Sequence, residues 1–136
     1  MSVLAQASSE TLHALCAEVP RPSYRRLRGP EVGLVMVRAR AGATGMRFNL
    51  GEMTVTRCTV QLVDGTLGHA WVGGRRPEHA ETAAWLDALL QHPEHRSLEG
   101  RVILPLAETQ AARQRAVAER AAPSRVEFFT MVRGED

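Results

Sequence analysis

Between Asp64 and Glu81 the sequence reads DGTLGHAWVGGRRPEHAE, which sets glycines, Arg75, Arg76, His69, His79 and carboxylates side by side. Three chemistries use such residues. A phosphate loop needs GxxxxGK[ST], so that backbone N–H groups and a lysine meet the phosphates. Gly68 and Gly73 have that spacing, but Gly74-Arg75 stands where Lys-Ser/Thr should be. A zinc deaminase pairs HxE at a helix start with PCxxC. His79-Ala80-Glu81 supplies the first half, but both cysteines, Cys16 and Cys58, lie upstream and apart, so zinc would lack its thiolates. What survives is a plain anion site. Pro77 suits the first turn of a helix, and a helix N-terminus flanked by Arg75, Arg76 and His79 attracts negative charge. The competing reading is turn geometry and salt-bridging.

Other reactive residues give weaker signals. His92-Pro93-Glu94-His95 could hold a metal with Glu94 or Glu99 near, but a solvated loop is the simpler reading, and no metal is expected. His69, mid-strand beside Trp71, reads as a half-buried structural histidine. There is no GxSxG elbow. Cys58 lies in an apolar strand pattern and reads as an inert core thiol. No residue is assigned a catalytic role, and no cofactor is expected in this chain.

Composition narrows the field. All 17 basic residues are arginine and none is lysine, which excludes Schiff-base and P-loop lysine chemistry. Arginine favours bidentate contacts with phosphates and carboxylates and suits protein interfaces. A net charge of +2 gives no strong nucleic-acid field. An RNA site at Arg21–Arg28 would have only Tyr24 for stacking. No apolar run approaches a membrane span. Met1–Ala7 lacks the basic flank and apolar core of a signal peptide, so a cytoplasmic location is expected.

The elements that must position these residues follow from their patterns. Residues 9–18 show helical spacing, with Ser8 or Ser9 as cap. PRPSYRRLRGP (20–30) reads as a loop or short extended piece. Strands are expected over 32–40 and 46–63, the second with a bulge near Thr56–Arg57 to explain a switch in apolar parity. Asp64-Gly65 signals a two-residue hairpin, and 66–73 is its return strand. Gly68, Ala70 and Val72 form a small-residue side that lets a helix approach. A helix runs from Pro77 to about Gln91, buried through Ala83, Leu86, Leu89 and Leu90. HPEHRSLEG (92–100) reads as loop and RVILPL (101–106) as extended. Residues 107–121 make an alanine-faced, arginine-rich helix of the kind found on surfaces and at subunit contacts. A last strand covers 125–133, where Phe128 and Phe129 point to opposite faces, so that either the core or another subunit covers the second. The grouped strands argue for a single α+β domain over 1–136, with a mainly antiparallel sheet of about four strands packed with helices.

Beyond this, the sequence resembles the G-subunit family of the bacterial carbon–phosphorus lyase system. The resemblance rests on MSVLA (1–5), GLVMVRARAGATGMRF (33–48), GEMTVTRCTVQL (51–62), DGTLGHAWVGGRRPEHAE (64–81), DALLQ (87–91) and SRVEFFTMVRGED (124–136). DGTLG, GR…HAE and the FFTMVRG segment are its most specific pieces, and 20–31 and 107–121 match loosely. Family members carry extra residues before MSVLA, so Met1 is either an internal start or the head of a shorter N-terminal piece. The resemblance implies work with the H, I and L subunits in converting ATP and a phosphonate to a ribose 1-phosphonate 5-triphosphate with release of adenine. It also implies a core assembly with H, I and J. In that division of labour the chain is an accessory, non-catalytic subunit, inactive alone, meeting ATP and phosphonate only through the complex and binding neither nucleic acid nor membrane. The alternative is a shared nucleotide or phosphate site to which Arg75 and Arg76 contribute. Phe128, Phe129, Met131 and Arg133 are the candidate subunit interface.

Overall fold

The computed structural model describes residues 1–41 and 45–121. In chain order they form α1 (Ser2–Gln6), α2 (Ser9–Cys16), β1 (Tyr24–Arg40), β2 (Arg47–Leu62), β3 (Leu67–Gly73), α3 (Pro77–Leu89) and α4 (Leu104–Ala121). A short 3-10 turn, Pro93–His95, and a π-helical turn, Glu99–Ile103, lead into α4. The class is α+β, with one antiparallel sheet in the order β1-β2-β3. That is three strands among the described residues rather than about four. The strand expected over 125–133, with Phe128, Phe129, Met131 and Arg133, lies outside the described residues.

The sheet buries one face against α3. On β2, Thr56, Cys58, Val60 and Leu62 alternate inward, and on β3 Gly68, Ala70 and Val72 do the same. α3 answers with Ala80, Ala83, Ala84, Leu86 and Ala88, all fully buried. Small residues on both sides bring the layers close. A Cβ at Gly68 would collide with the Ala84 carbonyl oxygen and lie 2.9 Å from the Ala88 Cβ. Leu4, Leu12, Val102 and Leu106 close the core from α1, α2, the π turn and α4. Ser8 caps α2 by accepting the Thr11 N–H at 3.0 Å, as its position before the apolar spacing suggests.

Several expectations need correction. β1 starts at Tyr24, so the 20–30 segment is extended in its second half and runs on without a break into the strand expected from 32. It is an edge strand, so Pro30 breaks no ladder on its free side, and register shifts between Arg26 and Arg28 and between Arg28 and Glu31 take up the extra residues. β2 carries no irregularity at Thr56–Arg57; its pairing with β3 is continuous from Val55 to Gln61. Val55 and Thr56 are both buried, one on each face, which produces the apparent parity switch. The irregularity on β2 falls at Leu50, between the Val37–Gly51 and Arg38–Asn49 pairs. The hairpin connection is four residues, Val63–Thr66, rather than two. Gly65 has φ +94° there, and Asp64 Oδ1 accepts the Thr66 N–H at 2.9 Å. RVILPL is helical, not extended. Pro105 lies in the first turn of α4, where its missing N–H costs nothing.

Candidate functional site

The turn from Gly73 to Arg76 delivers β3 into α3. Gly74 holds φ +84°, a conformation L side chains rarely adopt. Thr56, buried on β2, fixes the turn from beneath. Its Oγ1 donates to the Gly74 carbonyl at 2.6 Å and accepts the Arg76 N–H at 2.9 Å. The hydroxyl thus takes one of the free N–H groups at the start of α3, in place of the missing side-chain cap.

The three residues named for anion binding part company here. Arg76 turns back on the protein: Nε donates to the Gly73 carbonyl at 2.9 Å and an Nη to the Ala7 carbonyl at 3.3 Å. His79 is 1% exposed. Its Nε2 lies 2.8 Å from the Leu4 carbonyl oxygen, an acceptor only, so Nε2 carries the proton. Nδ1 is then left to accept from Ser9 Oγ at 3.0 Å. Burial pushes the His79 pKa down, assisted by Arg76 and His13, and outweighs the opposing Leu4 hydrogen bond. The ring is therefore a neutral clasp joining α3 to α1 and α2. Arg75 alone stays exposed, with no hydrogen bond or ion pair among the described residues.

Glu81, which the sequence brings forward in the His79-Ala80-Glu81 half-motif, is 8% exposed and points at β1. Its carboxylate accepts the Tyr24 hydroxyl at 2.6 Å and two Arg26 N–H groups at 2.7 and 3.1 Å. Burial pushes its pKa up, but the Arg26 and Tyr24 hydrogen bonds together hold it below the ordinary carboxylate value. Sequence spacing gives no hint of this triad, because 55 positions separate Arg26 from Glu81.

Glu81 forms one wall of an open cavity of about 640 Å³ between α2, β1 and α3, with His13, Arg21, Arg26, Glu78 and Trp85. Glu81 already neutralises Arg26 and feels the charge of Arg21, and Glu78 adds a second carboxylate to the lining. Such a lining has too little positive charge to clamp a triphosphate, which calls for several guanidinium donors at once. A second groove, of about 680 Å³, runs between α1, β3 and α4 and is lined by Met53, Trp71, Arg76, Gln110, Arg113 and Val117.

The remaining reactive residues are accounted for locally. Burial pushes both the Cys16 and Cys58 thiols up to about 11, which leaves almost no thiolate at neutral pH. His69 contacts Thr59 through Nδ1 at 3.2 Å, and its backbone N–H donates to Asp87 at 3.1 Å. His92 Nε2 lies 3.0 Å from Asp64 Oδ2 but makes no hydrogen bond of acceptable geometry. Its ring stands edge-on to His95, 6.3 Å between centroids. Among the described residues, no three His, Cys, Asp or Glu side chains group closely enough to hold a metal ion, and no helix is long and apolar enough to cross a membrane.

With this geometry in view, the comparisons with known proteins are decisive for kinship. Residues 1–134 match the family described as phosphonate metabolism protein PhnG. Over 137 aligned residues the chain is 44% identical to the alpha-D-ribose 1-methylphosphonate 5-triphosphate synthase subunit PhnG of Rhizobium meliloti (strain 1021). That alignment covers 100% of this chain and 88% of the relative. A match across nearly the whole chain, including the DGTLGHAWVGGRRPEHAE segment that builds the turn into α3, means that the chain belongs to the PhnG family of phosphonate metabolism proteins.

Proposed function

We propose that the chain is an accessory, non-catalytic subunit of a synthase that joins ATP and an alkylphosphonate into a ribose 1-phosphonate 5-triphosphate with release of adenine. One observation carries the non-catalytic part of this reading. The most chemically loaded segment of the sequence spends its polar groups on the fold: His79 and Arg76 bind backbone carbonyls of the N-terminal segment. A general base must be within reach of a substrate proton, and a ring 1% exposed with both nitrogens engaged is not. The chain's work is then to hold the subunits of a carbon–phosphorus lyase assembly (H, I, J and L) in place.

Arg75, exposed at the start of α3 and without a partner among the described residues, supports a second reading, in which the chain lends one cation to a nucleotide or phosphate site shared with a neighbour. Reconstitution separates the two. Adenine release from ATP and methylphosphonate is measured with each subunit omitted in turn, and with Arg75→Ala in the complete set. The accessory reading expects no release by the chain alone, loss of release when it is omitted, and an unchanged KM for ATP with Arg75→Ala. Turnover by the chain alone defeats it; a raised KM in an intact complex moves the role to the second reading.

A further inference from the structure

β3 pairs with β2 only from Val55 to Gln61. Beyond that point the sheet is two strands wide, β1 from Leu34 to Arg40 against β2 from Arg47 to Thr54. At roughly 3.3 Å per residue, those seven residues of β1 extend ~23 Å. An isolated two-stranded ribbon is marginal in water, yet this one is apolar. Val32, Leu34 and Met36 share one face and are 46%, 62% and 53% exposed. Leu50, at the bulge, is 64% exposed, and Phe48 and Met53 show on the reverse face.

The charge pattern adds direction. Arg38 and Arg40 continue the Val32-Leu34-Met36 face, and Arg40 sits directly opposite Arg47. Like charges directly opposed on a sheet are destabilising. None of these three arginines has a hydrogen bond or ion pair among the described residues, whereas Arg26, Arg28 and Arg57 lower in the sheet are all paired with carboxylates. The arm thus presents an apolar stripe that ends in a knot of unneutralised guanidinium groups.

We propose that this arm is the chain's docking element, and that it seats in an apolar cleft of another polypeptide subunit, one whose far end carries carboxylates for Arg38, Arg40 and Arg47. The proposal rests on the reading of the chain as a synthase subunit and names the surface and the partner chemistry. A second copy fits poorly. Laid face to face, it would bring one carboxylate, Glu52, against three guanidinium groups. A nucleic acid would match the cations but not the Val32-Leu34-Met36 stripe.

The test uses the full-length chain, tagged and co-expressed with the remaining synthase subunits. Two variants are compared with wild type: Leu34→Ser/Met36→Ser, which strips the apolar stripe, and Arg38→Glu/Arg40→Glu, which reverses the tip charge while removing the Arg40–Arg47 repulsion. Recovery of the co-purified subunits is expected to fall about tenfold or more for each, since losing buried apolar or paired charged anchors costs at least that much. The melting temperature of each isolated variant should stay within about 2 °C of wild type, because the changed side chains are exposed. Wild-type recovery with both variants would overturn the proposal. So would a homodimer in sedimentation, or binding to phosphatidylserine-containing vesicles, that the substitutions abolish while the complex persists. Failure of the accessory reading shows separately, as adenine release by the chain alone.

Discussion

Replacing His79 with alanine separates a structural clasp from a ligand group. The substitution removes the donor to the Leu4 carbonyl and the acceptor for Ser9 Oγ. Each lost hydrogen bond is worth ~1 kcal/mol, and leaving the buried Leu4 carbonyl unpaired adds about 1–3 kcal/mol. Together with the hole left by the ring, the cost is about 4–6 kcal/mol. For a chain of this size that corresponds to a fall in Tm of about 10 °C or more. The pH dependence carries a second signature. Because the folded-state pKa of His79 lies below its ordinary value of 6.5, its contribution is fully present above that pH. As the pH falls from there through the folded value, the unfolded chain takes up a proton that the buried ring resists, and stability drops by up to about 1.4 kcal/mol per pH unit. The gap in Tm between wild type and His79→Ala should therefore narrow as the pH is lowered from 7.5 to about 5.5. Thermal melting followed by circular dichroism across that range checks both. A variant that melts with wild type at pH 7.5, yet raises the KM of the assembled synthase for ATP, would refute the clasp.

Other consequences follow from the same packing. Gly68→Ala must push α3 off the sheet and should cost about 1–3 kcal/mol by overpacking; thermal melting reads it directly. Thr56→Val keeps the volume but removes the hydroxyl that bridges Gly74 and Arg76, for a loss of about 1–3 kcal/mol in urea unfolding. The Glu81 carboxylate has a folded pKa below its ordinary 4.5, so its contribution is present above that pH and lost as the pH falls through the folded value. Glu81→Gln should be destabilised only slightly near neutral pH, since Arg26 is well exposed, and should lose that part of the acid-induced fall, as followed by fluorescence from pH 6 to 3.

Where local chemistry decides, the sequence reveals the fold. Gly68, Ala70 and Val72 on alternate positions announce a close helix approach, and α3 lies there. Pro77 marks the first residue of α3, and Ser8 the cap of α2. Asp64-Gly65 marks the hairpin turn, although its length depends on where the ladder stops. Long-range partners are what local patterns miss. Pro20–Pro30 leaves loop and short extended piece open by composition, and its second half is a strand because β2 offers it a ladder and bulges absorb the misfit. His79 and Glu81 look like site residues because helix starts favour such groups. Their partners, Leu4 and Ser9 for one and Tyr24 and Arg26 for the other, lie 55 to 75 positions away. The strand pattern of 32–40 shows that β1 exists but not that its far half stays exposed among the described residues.

If this chain's polar groups build a fold and a docking surface rather than a nucleotide site, calorimetric titration of ATP into the isolated chain should show no saturable binding at millimolar ATP, on the order of the weakest ordinary specific affinities. Stoichiometric binding at micromolar ATP that Arg75→Ala abolishes would contradict it.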